Sequence, residues 1–103
     1  MDTRQFLTQW KTDAWKDPAM VAWYSGRMVE NSGTNRLNNM LEVGLCDRFA
    51  VGQTVLDIGV GTGRASLPLA RKGMQLTGID SSQAMLDECQ RLAGNVPVQL
   101  QVG

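Results

Sequence analysis

The stretch Val55-Leu56-Asp57-Ile58-Gly59-Val60-Gly61-Thr62-Gly63 narrows the possible folds more than any other part of this 103-residue chain. A short apolar, partly β-branched run passes directly into a loop with glycine at every second position. This is how a buried parallel strand reads when it turns sharply into a helix. Six of the eleven glycines fall between residues 52 and 78, so backbone freedom is concentrated here. Seventeen residues beyond Gly63 the next apolar run ends in Gly78-Ile79-Asp80. In a right-handed βαβ unit the tips of neighbouring strands lie side by side, so Asp80 is expected to face the same crevice as the glycine loop.

Around this stretch the pattern predicts alternating strands and helices. Strands are expected at Gln53 to Ile58, Met74 to Ile79 and Val96 to Val102. Helices are expected from Gly63 to Lys72, stopped by Gly73, and from a Ser81 or Ser82 cap to about Leu92. Met85, Leu86, Cys89 and Leu92 form the inner face of the second helix. Pro68 falls inside the first, where it deletes one hydrogen bond and predicts a bend or a looser first turn, while Pro97 fits only near a strand start or on a sheet edge. The fold class is α/β: a Rossmann-like half, β-α-β-α-β with a parallel sheet of strand order 3-2-1, an incomplete doubly wound sheet.

The first fifty residues differ. All three tryptophans lie there, at helical spacing and without strand alternation. Helices are predicted over residues 3–11, from Asp17-Pro18 to Glu30, and from Asn35 to Phe49, with a break at Asn31-Ser32-Gly33. Their stripes (Phe6, Leu7 and Trp10; Met20, Trp23 and Tyr24; Leu37, Met40, Leu41, Leu45 and Phe49) read as ordinary packing faces. The chain thus divides into a helical segment, 1–50, and a Rossmann-like part, 51–103.

Charge and composition exclude several functions. Ten basic residues balance ten acidic ones, six of each sign before residue 51 and four of each after it, so there is no nucleic-acid footprint and no polybasic membrane anchor. No histidine is present, which removes serine–histidine and cysteine–histidine nucleophile pairs and the commonest zinc ligand. Cys46 and Cys89 stand alone, so no metal site is expected, and lone thiols suit the cytoplasm. Both fall on apolar helix stripes and read as buried spacers. Asp87 and Glu88 read as a solvated face, and Arg71-Lys72 as complements to the C-terminal end of their own helix.

A carboxylate at the position of Asp80 can accept hydrogen bonds from both hydroxyls of a ribose, which points to a nucleoside ligand. Dinucleotide sites use G-x-G-x-x-G with a pyrophosphate on the helix N-terminus. Counting from Gly59 places Arg64 where the last glycine belongs, and counting from Gly61 places Ser66 there. Asp57, two residues before the first glycine, would repel a pyrophosphate and suits a ligand that carries positive charge. The G-x-x-x-x-G-K-[ST] phosphate loop is absent.

On these residues the sequence resembles the class I S-adenosylmethionine-dependent methyltransferases. Val55 to Gly63 resembles their first motif, Leu67 to Gly73 the helix that follows, and Gly78-Ile79-Asp80-Ser81-Ser82 with Ala84-Met85-Leu86 their second. The likeness covers about Val51 to Gly103, the N-terminal half of such a domain. It implies S-adenosylmethionine as cofactor, with Asp57, Gly59, Gly61 and Gly63 around the methionine portion and Asp80 on the ribose. Ser81 stands where the family often places an apolar residue against the adenine. Tyr24 and Arg27 lie in a region that often closes over the cofactor. The family usually continues with a further acid for the adenine and with the acceptor site, so the chain is expected to be part of a longer enzyme or to complete its sheet by self-association through the open edge. By itself it is expected to be inactive and to bind cofactor weakly. Catalytic residues and the methyl acceptor are not legible. A non-catalytic dimerisation or binding module and an NAD-binding oxidoreductase fragment are the rival readings; Asp80→Ala should separate module from enzyme by removing ligand affinity with little loss of fold.

Overall fold

The structure, a computed structural model, describes residues 1–30 and 33–103. Three helices come first: α1 (Thr3–Ala14), α2 (Pro18–Glu30) and α3 (Gly33–Phe49). The α/β part follows as β1 (Thr54–Ile58), α4 (Leu67–Arg71), β2 (Gln75–Asp80), α5 (Gln83–Ala93) and β3 (Val98–Val102). The strands are parallel, with β2 between β1 and β3. This is the expected 3-2-1 adjacency counted from the opposite edge.

The register explains where the core sits. Val55 is level with Leu76, and Leu76 with Val98, so these residues share one face of the sheet. Against that face pack Leu67 and Ala70 of α4 and Leu86, Cys89 and Ala93 of α5, with Cys89 at 0% exposure. Two right-handed crossovers that step in the same direction place both helices on the same side. The other face carries Leu56, Ile58, Thr77, Ile79, Gln99 and Gln101. It is largely bare, with Leu56 61% and Ile58 76% exposed.

Local chemistry sets the element ends. Asp2 caps α1 through a reciprocal pair with Gln5: the Gln5 N–H donates to Asp2 Oδ1 at 2.8 Å, and the Asp2 N–H to Gln5 Oε1 at 3.1 Å. Asp17 accepts from the Ala19 N–H at 3.0 Å just before α2. At α5 it is Ser82 rather than Ser81 that caps, accepting from the Met85 N–H at 3.1 Å.

Four expectations are corrected. The helix predicted from Gly63 starts only at Leu67, because residues 60–66 turn back on themselves, with the Gly63 N–H on Val60 O and the Leu67 N–H on Gly63 O. Pro68 therefore lies in the first helical turn, where its missing N–H has no helical partner to lose, so the hydrogen bond expected to be deleted there is not. The apolar stripes of α1 and α3 do not face inward either, and of the α2 stripe Met20 and Tyr24 are half-buried while Trp23 is exposed. Instead α2 docks on α5 through Val21, 2% exposed, and Ser25, while α3 turns its less exposed side, Asn39, Val43 and Cys46, toward the body. Phe6, Trp10, Trp23, Leu37, Met40, Leu41, Leu45 and Phe49 are exposed. Ion pairs choose the α3 face: Glu42 meets Arg64 at 2.5 Å and Asp47 meets Lys72 at 2.7 Å, and Cys46, between them, is only half-buried.

The fourth correction concerns Glu88. Rather than standing on a solvated face, it accepts from Ser25 Oγ at 3.0 Å and pairs with Arg91, and the Arg91 bond holds its carboxyl below the usual range. Asp87 is exposed and accepts from Gln83 Nε2 at 2.8 Å. Arg71 does meet a C-terminal carbonyl, but one of α5: its Nη2 donates to Leu92 O at 3.1 Å. Asn31 and Ser32 of the predicted break lie outside the described residues, and Gly33 begins α3.

Candidate functional site

The tip of β1 remains paired to β2 as it enters the glycine loop. The N–H groups of Gly59 and Val60 both donate to Ile79 O, at 2.8 and 3.0 Å. Two residues opposing one bend the loop over the end of β2, which brings the Gly61 N–H onto Asp80 Oδ2 at 2.8 Å. The second oxygen, Asp80 Oδ1, accepts from the Ser82 N–H at 2.9 Å. The carboxylate that ends β2 thus ties the loop to the start of α5. An ionised carboxylate has about four acceptor positions, so two remain after these backbone bonds.

Above the loop is a cavity of about 530 Å³, within the range of small-molecule sites. Asp57, Gly59, Gly61, Asp80 and Ser81 all line it. Asp57 belongs to the side of β1 that carries Val55, and it is half-buried. Among the described residues no hydrogen bond or ion pair reaches its carboxylate. Its charge is felt by Cys89: burial, and then the Asp57 charge, push that thiol up to about 11. The two acidic strand ends therefore share one hollow.

Gly63, also predicted to contact the cofactor, is placed elsewhere. It is buried, with φ at +83°, and a Cβ on it would come within 2.7 Å of Leu67 Cγ and 2.8 Å of Cys89 Sγ. It lets the loop pack directly onto α4 and α5 and is not among the cavity-lining residues. Gly61, with φ at +55°, has open space where a Cβ would stand. One glycine is required by packing and the other by main-chain conformation.

The N-terminal helices supply the opposite wall: Lys11, Thr12 and Trp15 from α1 and its C-cap, and Tyr24 from α2. The Trp15 and Tyr24 rings meet edge to face, centroids 5.2 Å apart. Arg64 completes the rim, held by Glu42 and by Asn39 Oδ1 at 3.1 Å. Arg27 lies outside this lining, with its guanidinium 5.6 Å from the Trp23 ring centroid. Arg64 directly follows the glycine loop and Met85 lies in the second motif. Lys11, Thr12 and Trp15 carry no local signature of a site; tertiary docking alone brings them there. Ser82 does carry one, as a serine three residues before an amide it caps, but its further contacts are long-range. Among the described residues no helix is long and apolar enough to cross a membrane.

Comparison with known proteins agrees with this geometry. Residues 55–103 match the family described as methyltransferase domain. An O-methyltransferase of Aspergillus sclerotiorum, resE, is 34% identical over 82 residues, 79% of this chain and 28% of that protein. The magnesium protoporphyrin IX methyltransferase of Synechocystis PCC 6803, solved with bound SAH, superimposes with a TM-score of 0.65 at 21% identity over 93% of this chain and 51% of that one. A TehB-like SAM-dependent methyltransferase of Corynebacterium glutamicum gives 0.59 at 25% identity over 84% of this chain and 46% of that one. The chain spans about a quarter of the curated O-methyltransferase's length and about half of the two solved chains. Residues 55–103 thus match the methyltransferase-domain family, and the fold is similar to that of the class I S-adenosylmethionine-dependent methyltransferases.

Proposed function

We propose that this chain is the cofactor-binding part of an S-adenosylmethionine-dependent methyltransferase, with its site in the cavity between the glycine loop and the Trp15–Tyr24 wall. The observation that carries this is Asp57: a half-buried carboxylate without a partner among the described residues, in the same hollow as Asp80 and the open main chain of Gly59 and Gly61. A half-buried carboxylate without a partner in a ligand-sized cavity favours a cationic occupant. When bound, S-adenosylmethionine supplies an activated methyl group on a sulfonium centre and a zwitterionic amino-acid tail.

The chain's residues then divide the work of orientation. Asp57 faces the positive charge. Asp80, with two acceptor positions left, takes the ribose hydroxyls while it holds Gly61 and Ser82. Gly59 and Gly61 let the ligand lie against the backbone, and Ser81 stands exposed at the rim. Gly63 serves the same site from beneath, by setting how closely the loop packs on α5. Residues 1–50 form the cover and residues 51–103 the cofactor cradle.

The cradle is one-sided. β1 is an edge strand whose outward residues Leu56 and Ile58 are uncovered, and the relatives matched are two to four times longer. This supports a catalytic unit larger than the described residues, formed by a longer chain or by association, that also provides the methyl-acceptor site. For the isolated chain we therefore expect cofactor affinity weaker than micromolar. Light scattering after size exclusion bears on the same point, since a stable, well-folded monomer would count against it.

The deciding experiment uses Asp57, because Asp80 also braces the loop. In amide NMR spectra, S-adenosylhomocysteine at submillimolar to millimolar concentration should shift residues 57–63 and 80–82 saturably, and Asp57→Ala should remove the response while the rest of the spectrum is kept. Absence of any shift at these residues in the unaltered chain overturns the assignment.

A further inference from the structure

We infer that Ser82 is a positioning residue of this site, joining the cover helices to the ribose-facing carboxylate through its buried hydroxyl on one side and its main-chain N–H on the other. The inference takes the cavity to be the cofactor site proposed above. Ser82 is 2% exposed, and besides its carbonyl, which accepts from the Leu86 N–H at 3.2 Å, its N–H and hydroxyl make three hydrogen bonds. Its N–H donates to Asp80 Oδ1 at 2.9 Å, its Oγ accepts from the Met85 N–H at 3.1 Å, and its hydroxyl proton goes to the carbonyl of Trp15.

The proton count leaves no freedom. A serine hydroxyl has one proton, and the Met85 N–H already occupies a lone pair, so the proton is committed to Trp15. Trp15 is the C-cap of α1, where carbonyls lack helical partners. Its ring lines the cavity and meets Tyr24 of α2, which lines it too. On the other side Asp80 passes the connection to the Gly61 N–H at 2.8 Å. A continuous series of hydrogen bonds thus runs from the cover at Trp15, through Ser82 and Asp80, to the glycine loop. Residues 67 positions apart in sequence are held by it. A helix cap needs only the Met85 bond; the Trp15 and Asp80 bonds place the two walls of the cavity relative to one another.

Loss of the hydroxyl leaves the Trp15 carbonyl without its donor and frees the cover from the carboxylate. The test uses the full chain with Trp10→Phe and Trp23→Phe, so that Trp15 is the sole tryptophan and is excited selectively over Tyr24, titrated with S-adenosylhomocysteine. Saturable change in Trp15 emission is expected. Ser82→Ala should weaken binding by about tenfold or more and abolish the emission response, and Ser82→Thr, which keeps both roles of the hydroxyl, should restore both. If Ser82→Ala lowers Tm but the folded protein binds with unchanged affinity and an unchanged Trp15 response, Ser82 is only a helix cap and the inference is overturned. Should that variant fail to fold, hydrogen exchange on the unaltered chain decides: the ligand should slow exchange in residues 12–20 as well as in 57–63. Protection confined to 57–63 overturns the role of Ser82 alone, whereas no protection anywhere overturns the cofactor site with it.

Discussion

Gly63 and Gly52 have almost the same backbone conformation, φ at +83° and +81°, but opposite surroundings. At Gly52 an added Cβ meets nothing within 4 Å; at Gly63 it would stand 2.7 Å from Leu67 Cγ and 2.8 Å from Cys89 Sγ. Alanine at either position incurs the left-handed penalty of roughly 1–2 kcal/mol, partly offset by about 0.4–1 kcal/mol from the stiffer unfolded chain. Gly52→Ala should therefore destabilise by about 1 kcal/mol or less. Gly63→Ala adds overpacking, typically ~1–3 kcal/mol, because Leu67 and Cys89 are both buried and cannot swing into solvent. The expected total, about 2–4 kcal/mol, is a large part of the ~5–15 kcal/mol stability usual for a domain. Urea unfolding followed by circular dichroism measures both variants. With a slope of about 1–1.5 kcal/mol/M, the midpoint should fall by about 1 M or less for Gly52→Ala and by about 1.3–4 M for Gly63→Ala. Equal shifts would refute the reasoning, since Gly63 would then be needed for its main chain alone.

Three further outcomes follow from the contacts. The Cys89 thiol, pushed up to about 11 by burial and by Asp57, is protonated in the fold; its contribution is present below the ordinary thiol range and is lost as pH rises toward 11, at most about 2–3 kcal/mol. Urea midpoints at pH 8 and 10.5 should differ less in Cys89→Ala than in the unaltered chain, and an identical pH dependence would rule this out. Asp80→Asn keeps the shape but offers one acceptor oxygen to the two N–H groups of Gly61 and Ser82, so it should cost about 1–3 kcal/mol without any ligand; thermal unfolding indistinguishable from the parent would contradict it. Ser25→Ala removes the donor from α2 to Glu88 and should raise exchange rates in α2 while costing about 1 kcal/mol or less. Unaltered exchange would place the docking of α2 on Val21 alone.

The role of Asp80 changes how a substitution there is interpreted. Spacing alone suggests that Asp80→Ala tests ligand binding with little loss of fold. The structure gives the carboxylate a structural duty as well, because both of its oxygens accept main-chain bonds. Asp57, with no such bond among the described residues, is the cleaner probe of the ligand. The pair divides one site into a braced acid and a free one.

From order and spacing along the chain, the alternation of strand and helix, the parallel sheet, the glycine loop and the side-by-side placement of two strand-end acids could all be derived. These depend on local periodicity and on the fixed hand of the crossover, which act over tens of residues or fewer. The inward faces of α2 and α3 could not be derived, since their stripes are apolar but their docking is chosen by long-range partners: Glu88 for Ser25, Arg64 for Glu42, Lys72 for Asp47. The same holds for the Trp15–Tyr24 wall and for the hydroxyl of Ser82, whose third bond spans most of the chain. Periodicity says that a helix has a face; only the completed packing, with its few available charges and hydroxyls, determines which face it turns inward.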